Sequence, residues 1–255
     1  MDQLVGYESD GRVARLTLDS QHNRNALSTA LVSQLREGLQ RAAEDSEIRA
    51  IVLAHTGNTF CAGADLSEAT GGDPQQAALG RSRELAALLR AIVECRRPVI
   101  AAVNGHVRAG GMGLVGACDI AVAGPDSTFA LTEARIGVAP AIISLTLLPK
   151  LDPRAAARYY LTGETFRAGH AAEIGLITVA ADDIDIAVQE ITANLAKASP
   201  QGLTASKALT TAAVLAGFDH SAERLAEESA RLFVSDEARE GMLAFLEKRP
   251  PRWVG

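Results

Sequence analysis

The segment RPVIAAVNGHVRAGGMGLVGACDIAVAGPDSTFALTEARIGVAP, residues 97–140, decides how this chain is read. It opens on VIAAV, a continuous apolar run that predicts a buried strand over 99–103. The run breaks at Asn104-Gly105 and passes through Ala109-Gly110-Gly111, where small residues let a ligand approach the backbone closely. A helix is predicted to follow, with its unpaired N-terminal N–H groups facing whatever lies at the glycines. DIAVA at 119–123 starts another strand, and Phe129 and Leu131 precede a turn carrying Glu133. Backbone donors beside a lone carboxylate suit an oxygen that gains charge while a proton moves.

Strand and helix patterns alternate on either side of this segment. VARLTL at 13–18 reads as a half-buried strand after the Asp10-Gly11 turn signal. Leu27, Leu31, Leu35 and Leu39 recur along one helix face. Residues 50–53 form a short apolar strand that empties into HTGNTFCAGADLSEATGGDP, too rich in Gly, Asn and Thr to be regular throughout. A helix over about 81–95 places Leu85, Leu88, Leu89, Ile92 and Val93 on one side. An apolar helical stretch comes after Pro140, and Pro153 opens RAAARYYL as another helix. Thr162-Gly163 and Gly175 punctuate the next stretch, before LITVA as a short strand.

This alternation to about residue 200 predicts an α/β fold. Beyond Ser199-Pro200 no strand pattern remains, and residues 203–216, 221–233 and 236–247 read as three helices. The chain therefore divides into a core over 1–200 and a helical region over 201–255, which covers its own core or a neighbouring subunit.

At 255 residues the chain buries roughly 70–75% of its unfolded surface, enough for one substantial core. A hydrophobic share of 47% with 22% charged residues is ordinary for a soluble globular protein. The net charge of −6 implies no general polyanion-binding surface, so no nucleic-acid partner is expected. The three cysteines, Cys61, Cys95 and Cys118, lack metal-ligand spacing and adjoin apolar segments, as buried thiols in a reducing compartment do. The opening MDQLVGYESDGRVARL is neither a signal peptide nor a basic transit peptide, and the apolar runs are too short for a membrane span. The expectation is a cytoplasmic protein with no membrane partner and no metal.

Two loops belong together. FCAGADL at 60–66 follows one strand and the loop to Gly110 follows another, so neighbouring strand ends can offer one N–H from each to a common oxygen. Tight turns and helix packing also explain such glycine-rich loops, and neither has dinucleotide or Walker spacing. RNALS at 24–28, FCAGADL at 60–66, RPVIAAVNG at 97–105, AGG…ACDIAVA through Ala123 and LTGE at 161–164 resemble, in order and spacing, the crotonase (enoyl-CoA hydratase/isomerase) superfamily over essentially the whole chain.

That resemblance implies a spiral of repeated ββα units with a C-terminal helical region. It also implies a homotrimer or dimer of trimers and an acyl-CoA thioester substrate, coenzyme A arriving with the substrate and no separate cofactor. Ala64 and Gly110 align with the two peptide donors of the family's oxyanion hole. Ala62, Asp65 and Leu66 fall where the family surrounds CoA, and Arg24 falls near the CoA phosphates, unless it is simply solvated. Phe245 and Lys248 resemble residues that reach a neighbouring subunit's CoA; packing of the last helix and a surface lysine are the alternatives.

Hydratases of this family use two glutamates. The second aligns with Glu133, but the first aligns with Gly113, which transfers no proton. Gly113 and EARIGVAPAIIS resemble bacterial branched-chain 3-methylglutaconyl-CoA hydratase-like members. Reversible hydration of a trans-2-enoyl-CoA to a 3-hydroxyacyl-CoA is therefore the leading expectation. A single-glutamate enoyl-CoA isomerase and a catalytically silent acyl-CoA binder are the alternatives. The acyl pocket is expected to draw on residues 68–79 and 142–148.

Overall fold

The computed structural model describes residues 2–68 and 73–255, apart from the Leu66 side chain. Strands β1 (Val5–Asp10) and β2 (Val13–Leu18) form an antiparallel hairpin, turning at Gly11 with φ +56°. Helix α1 (Thr29–Glu44) returns the chain to β3 (Ala50–His55), which pairs parallel to β2. Three turns of ββα come next. They are β4 (Thr59–Cys61) with α2 (Pro74–Glu94), β5 (Val99–Val103) with β6 (His106–Arg108) and α3 (Gly110–Ala117), and β7 (Ile120–Ala123) with β8 (Thr128–Ala130) and α4 (Ser144–Leu147). The first of these turns begins with β3.

Each turn adds one strand to each of two sheets. Among the described residues these run β1-β2-β3-β5-β7-β10 and β4-β6-β8-β9. The remaining elements are α5 (Pro153–Thr162), β9 (Phe166–Arg167), α6 (Ala168–Glu173), β10 (Val179–Ala180), α7 (Ile184–Leu195), α8 (Pro200–Phe233) and α9 (Asp236–Leu246). This is the α/β spiral of repeated ββα units, closed by a helical region.

Parallel strands buried on both faces explain the continuous apolar runs. In β3, Ile51 and Leu53 join the main core, while Ala50, Val52 and Ala54 join a second cluster against Val188 of α7. Polar punctuation sets the helix starts. Ser28, Asp73, Asp152, Asp183, Ser199 and Ser235 each cap an N-terminus, accepting from a backbone N–H of the first turn. Leu27 precedes α1 rather than lying on it, because Ser28 is the cap.

The tail departs from the three-helix reading. α8 is one helix of 34 residues that runs through Gly217, although a glycine in a helix costs about 1 kcal/mol relative to alanine. Val214, Phe218, half-buried Ala222, Ala226 and Ala230 keep a four-residue spacing across that point and pack one continuous face inward. Val214, Phe218 and Ala226 belong to the same core as α2, so the packing runs straight through.

Candidate active site

β4 and β6 are parallel neighbours, so both loops leave the same end of the smaller sheet. The first is held by Leu27, whose N–H donates to Gly63 O at 2.7 Å and whose carbonyl accepts from Asp65 N–H at 3.4 Å. Between them, the Ala64 N–H has no acceptor among the described residues. Gly110 opens α3, ahead of the helix's own hydrogen bonds, and its N–H is likewise without one.

The loops interlock where side chains would collide. A Cβ on Gly63 would lie 2.7 Å from Ala109 Cβ, and one on Gly111 2.7 Å from the Cys61 carbonyl oxygen. Ala109 sits at φ +46°, ψ −119°, a conformation that costs a non-glycine residue roughly 1–3 kcal/mol and that turns the chain into α3.

Glu133 lies in a short 3-10 turn, Glu133–Ile136, ended by Gly137 at φ +78°. Helix α9 clamps that turn: a Cβ on Gly137 would overlap the Glu237 backbone, and one on Gly241 the Ile136 backbone. Glu133 itself is buried, 9% exposed, and its Oε2 has no hydrogen-bond partner among the described residues. Burial pushes its carboxyl up to about 7, offset in part by its own backbone N–H. Near neutral pH this group therefore gives and takes a proton readily.

Ala64, Gly110 and Glu133 line one cavity of about 140 Å³, with Leu27, Ile142 and Ile143 among its apolar walls. Ile142 and Ile143 come from the predicted acyl-pocket segment, as does Glu68; residues 69–72 lie outside the described residues.

Position 113 has a definite tenant. A Cβ on Gly113 would lie 2.5 Å from Ile143 Cγ2 and 3.1 Å from Leu89 Cδ1, so apolar side chains fill the place of a first glutamate. Nothing in the sequence around Gly113 announces Ile143, which arrives from the next turn of the spiral. Two other carboxylates line the cavity, Glu68 and Glu84. Glu68 is bound to the Thr29 N–H and hydroxyl, and Glu84 is exposed.

Of the other predicted residues, Arg24, Ala62, Asp65, Phe245 and Lys248 lie outside the cavity wall. Ala62 donates its N–H to Arg24 O at 3.1 Å, and Arg24 itself is exposed in the left-handed region at φ +58°. Asp65 accepts from Asn23 Nδ2 at 2.9 Å, and the Ser67 hydroxyl leads the contacts that hold its carboxyl below the usual range. The Leu66 side chain lies outside the described residues. Phe245 and Lys248 are exposed near the C-terminal end.

His106 and Arg108 face β8 instead, His106 Nδ1 meeting Thr128 Oγ1 at 2.8 Å and Arg108 donating to Thr128 O at 2.8 Å. All three cysteines are buried, and burial pushes Cys61 and Cys118 up to about 12, far from thiolate reactivity. Among the described residues no cluster of three His, Cys, Asp or Glu side chains is placed to hold a metal ion, and no helix is long and apolar enough to cross a membrane.

A spiral of ββα turns whose loops enclose one apolar cavity is the crotonase architecture. The family model described as enoyl-CoA hydratase/isomerase matches residues 8–255, and the chain belongs to that family. It is 70% identical to an enoyl-CoA hydratase from Mycobacterium avium of known structure, over 100% of both chains, with a TM-score of 0.94. An enoyl-CoA hydratase structure from Shewanella pealeana ATCC 700345 is 32% identical, with 98% of this chain and 96% of that one covered and a TM-score of 0.77. A peroxisomal Delta(3,5)-Delta(2,4)-dienoyl-CoA isomerase of Arabidopsis thaliana is 26% identical over 99% of this chain and 96% of its own. Crotonase-type chemistry on an acyl-CoA follows from that membership.

Proposed function

We propose that this protein is an enoyl-CoA hydratase, adding water reversibly across a trans-2-enoyl-CoA to give a 3-hydroxyacyl-CoA. The observation that carries the reading is the sharing of one cavity by Ala64, Gly110 and a buried Glu133. The N–H groups of Ala64 and Gly110 donate to the thioester oxygen, which draws electrons from the double bond and makes C3 electrophilic. Their orientation is set before charge develops, and losing one such donor costs about 3–4 kcal/mol of barrier.

Ionised Glu133 takes a proton from water as the oxygen bonds to C3. It then delivers a proton to C2 as the enolate collapses, and ends as it began. Both proton steps fall to this carboxylate because Ile143 and Leu89 occupy the space beside Gly113. CoA contacts at Arg24, Ala62, Asp65 and Leu66, with Phe245 and Lys248 from a neighbouring subunit, would anchor the substrate. The assembly we infer is a homotrimer or a dimer of trimers. Exposed Leu161, Leu209 and Phe245, at 77%, 81% and 63%, support it, and light scattering on purified protein checks it.

The same lone carboxylate supports a second reading, an isomerase that carries one proton between C2 and C4 of a 3-enoyl-CoA. Purified protein assayed on trans-2-butenoyl-CoA and 3-hexenoyl-CoA separates the two. Hydration of the first is expected; isomerisation of the second without any water addition would reject the hydratase. Glu133→Gln should abolish turnover, and unchanged turnover would remove its proton-transfer role. No turnover on any acyl chain, with CoA thioesters still bound, would leave a silent binder. Placement in the branched-chain 3-methylglutaconyl-CoA hydratase-like group rests on Gly113 and the 133–144 segment, and kcat/KM on a branched acyl-CoA against a straight one tests it.

A further inference from the structure

Among the described residues, four buried side-chain polar atoms lack a hydrogen-bond partner: Arg49 Nε, Arg97 Nε, Glu133 Oε2 and Tyr160 Oη. Both guanidinium groups are anchored through other nitrogens, Arg49 on Ser46 O at 2.6 Å and Arg97 on Asp45 O at 2.8 Å. The two oxygens are different, since no other residue's group satisfies either. They stand on elements that pack together. Arg135, in the Glu133 turn, donates its Nε to Thr162 O at 2.9 Å at the end of α5. Gly163 caps α5 so close that a Cβ there would lie 2.8 Å from the same Arg135 Nε.

Tyr160 sits on the last turn of α5. Burial raises its hydroxyl well above the ordinary range, and the nearby Glu133 carboxylate raises it further. Neighbouring charges are engaged elsewhere: Arg135 on Thr162, Arg158 on Glu164 at 2.7 Å, and Glu240 of α9 on Arg249 at 2.7 Å. A carboxylate oxygen accepts only and a phenol can donate, and a water between them satisfies both at once.

We propose that Tyr160 is the positioning residue for Glu133, its hydroxyl joined to the inner carboxylate oxygen through one bridging water. The proposal rests on the assignment of proton transfer to Glu133. A carboxylate held only by its own backbone N–H remains free to rotate about its side-chain torsions. A second anchor holds one oxygen inward and presents the other to the cavity. With position 113 closed by Ile143, no second carboxylate supplies that anchor, and Tyr160 does.

Tyr160→Phe in the full chain tests this, with trans-2-butenoyl-CoA as the probe. The expected result is kcat lower by about tenfold with KM within about twofold, as for an interaction made in the reacting complex. The acid-side midpoint of the kcat/KM profile should move upward, because the ionised carboxylate loses a donor, and the melting temperature should fall. An unchanged kcat and midpoint with a raised melting temperature would mean an idle buried hydroxyl and would overturn the proposal. Should the phenylalanine variant not fold, 3-fluorotyrosine at position 160 keeps the shape and strengthens the donor. It should move the midpoint downward, and an unmoved midpoint is the contrary result. Turnover retained in Glu133→Gln defeats the proton-transfer reading itself. An inactive Glu133→Gln beside a wild-type-like Tyr160→Phe defeats the Tyr160 proposal alone.

Discussion

Glu133 should make this protein less stable as pH rises, and Glu133→Gln should remove that dependence. Its carboxyl stands at 4.5 when unperturbed and about 7 in the folded chain, with burial as the leading cause. Below pH 4.5 it is protonated in both states and costs nothing through ionisation. Between 4.5 and 7 the unfolded chain releases the proton while the folded chain keeps it, so unfolding gains ground with every pH unit. Above 7 the penalty levels off at about 3 kcal/mol, at about 1.4 kcal/mol per pH unit.

Glutamine titrates nowhere in this range, and its amide meets the same burial at every pH. The stability of Glu133→Gln relative to wild type should therefore rise by about 2.5 kcal/mol between pH 5 and pH 8, or roughly 5–10 °C in Tm for a domain of this size. Urea unfolding of both proteins at the two pH values, at one fixed protein concentration, measures the difference. A gap between the two proteins that does not change with pH would refute the burial argument, whatever the effect on catalysis.

Three substitutions probe the packing. Ala109→Gly should stabilise by up to about 2 kcal/mol in urea unfolding, because relief of the strained backbone exceeds the extra freedom that glycine brings to the unfolded chain; a loss of stability would show the conformation unstrained. Gly113→Ala should overpack against Ile143 and Leu89, costing about 1–3 kcal/mol before any helix-propensity gain. In a double-mutant cycle with Ile143→Ala the two changes should couple by about 0.5–3 kcal/mol, and strict additivity would deny the contact. Lys207→Met should cost about 3–5 kcal/mol by stranding Asp119, its ion-pair partner at 2.7 Å, with the two side chains only 5% and 14% exposed. The double replacement with Asp119→Asn should cost less than the single one, as calorimetry on both variants would record.

The elements that the sequence announces are those whose signals act locally. VIAAV at 99–103 is a strand with the bounds its apolar run predicts, and Asp152-Pro153 with Gly163 brackets α5. β4, β6 and β8 escape notice because three residues are too few to show alternation. These short strands exist because neighbours pair with them, and they bring the two loops to one sheet end. Gly217 misleads in the opposite direction, since its local cost is outweighed by the buried face of α8 that continues across it. The site divides along the same line: Ala64, Gly110 and Glu133 are recognisable by motif, whereas Ile143 is expected only as part of an acyl-pocket segment and Tyr160 only as part of a helix.

Motifs and glycine placement were therefore sufficient for the family, for the alternation of strands and helices and for the absence of a carboxylate at position 113. They act through backbone conformation and side-chain identity, which a chain carries whether folded or not. Folding alone determined that Ile143 fills the space beside Gly113, that Glu133 is buried and its carboxyl raised to about 7, and that Tyr160 stands within range of its charge. Burial and proximity arise only when segments far apart in the chain share one interior.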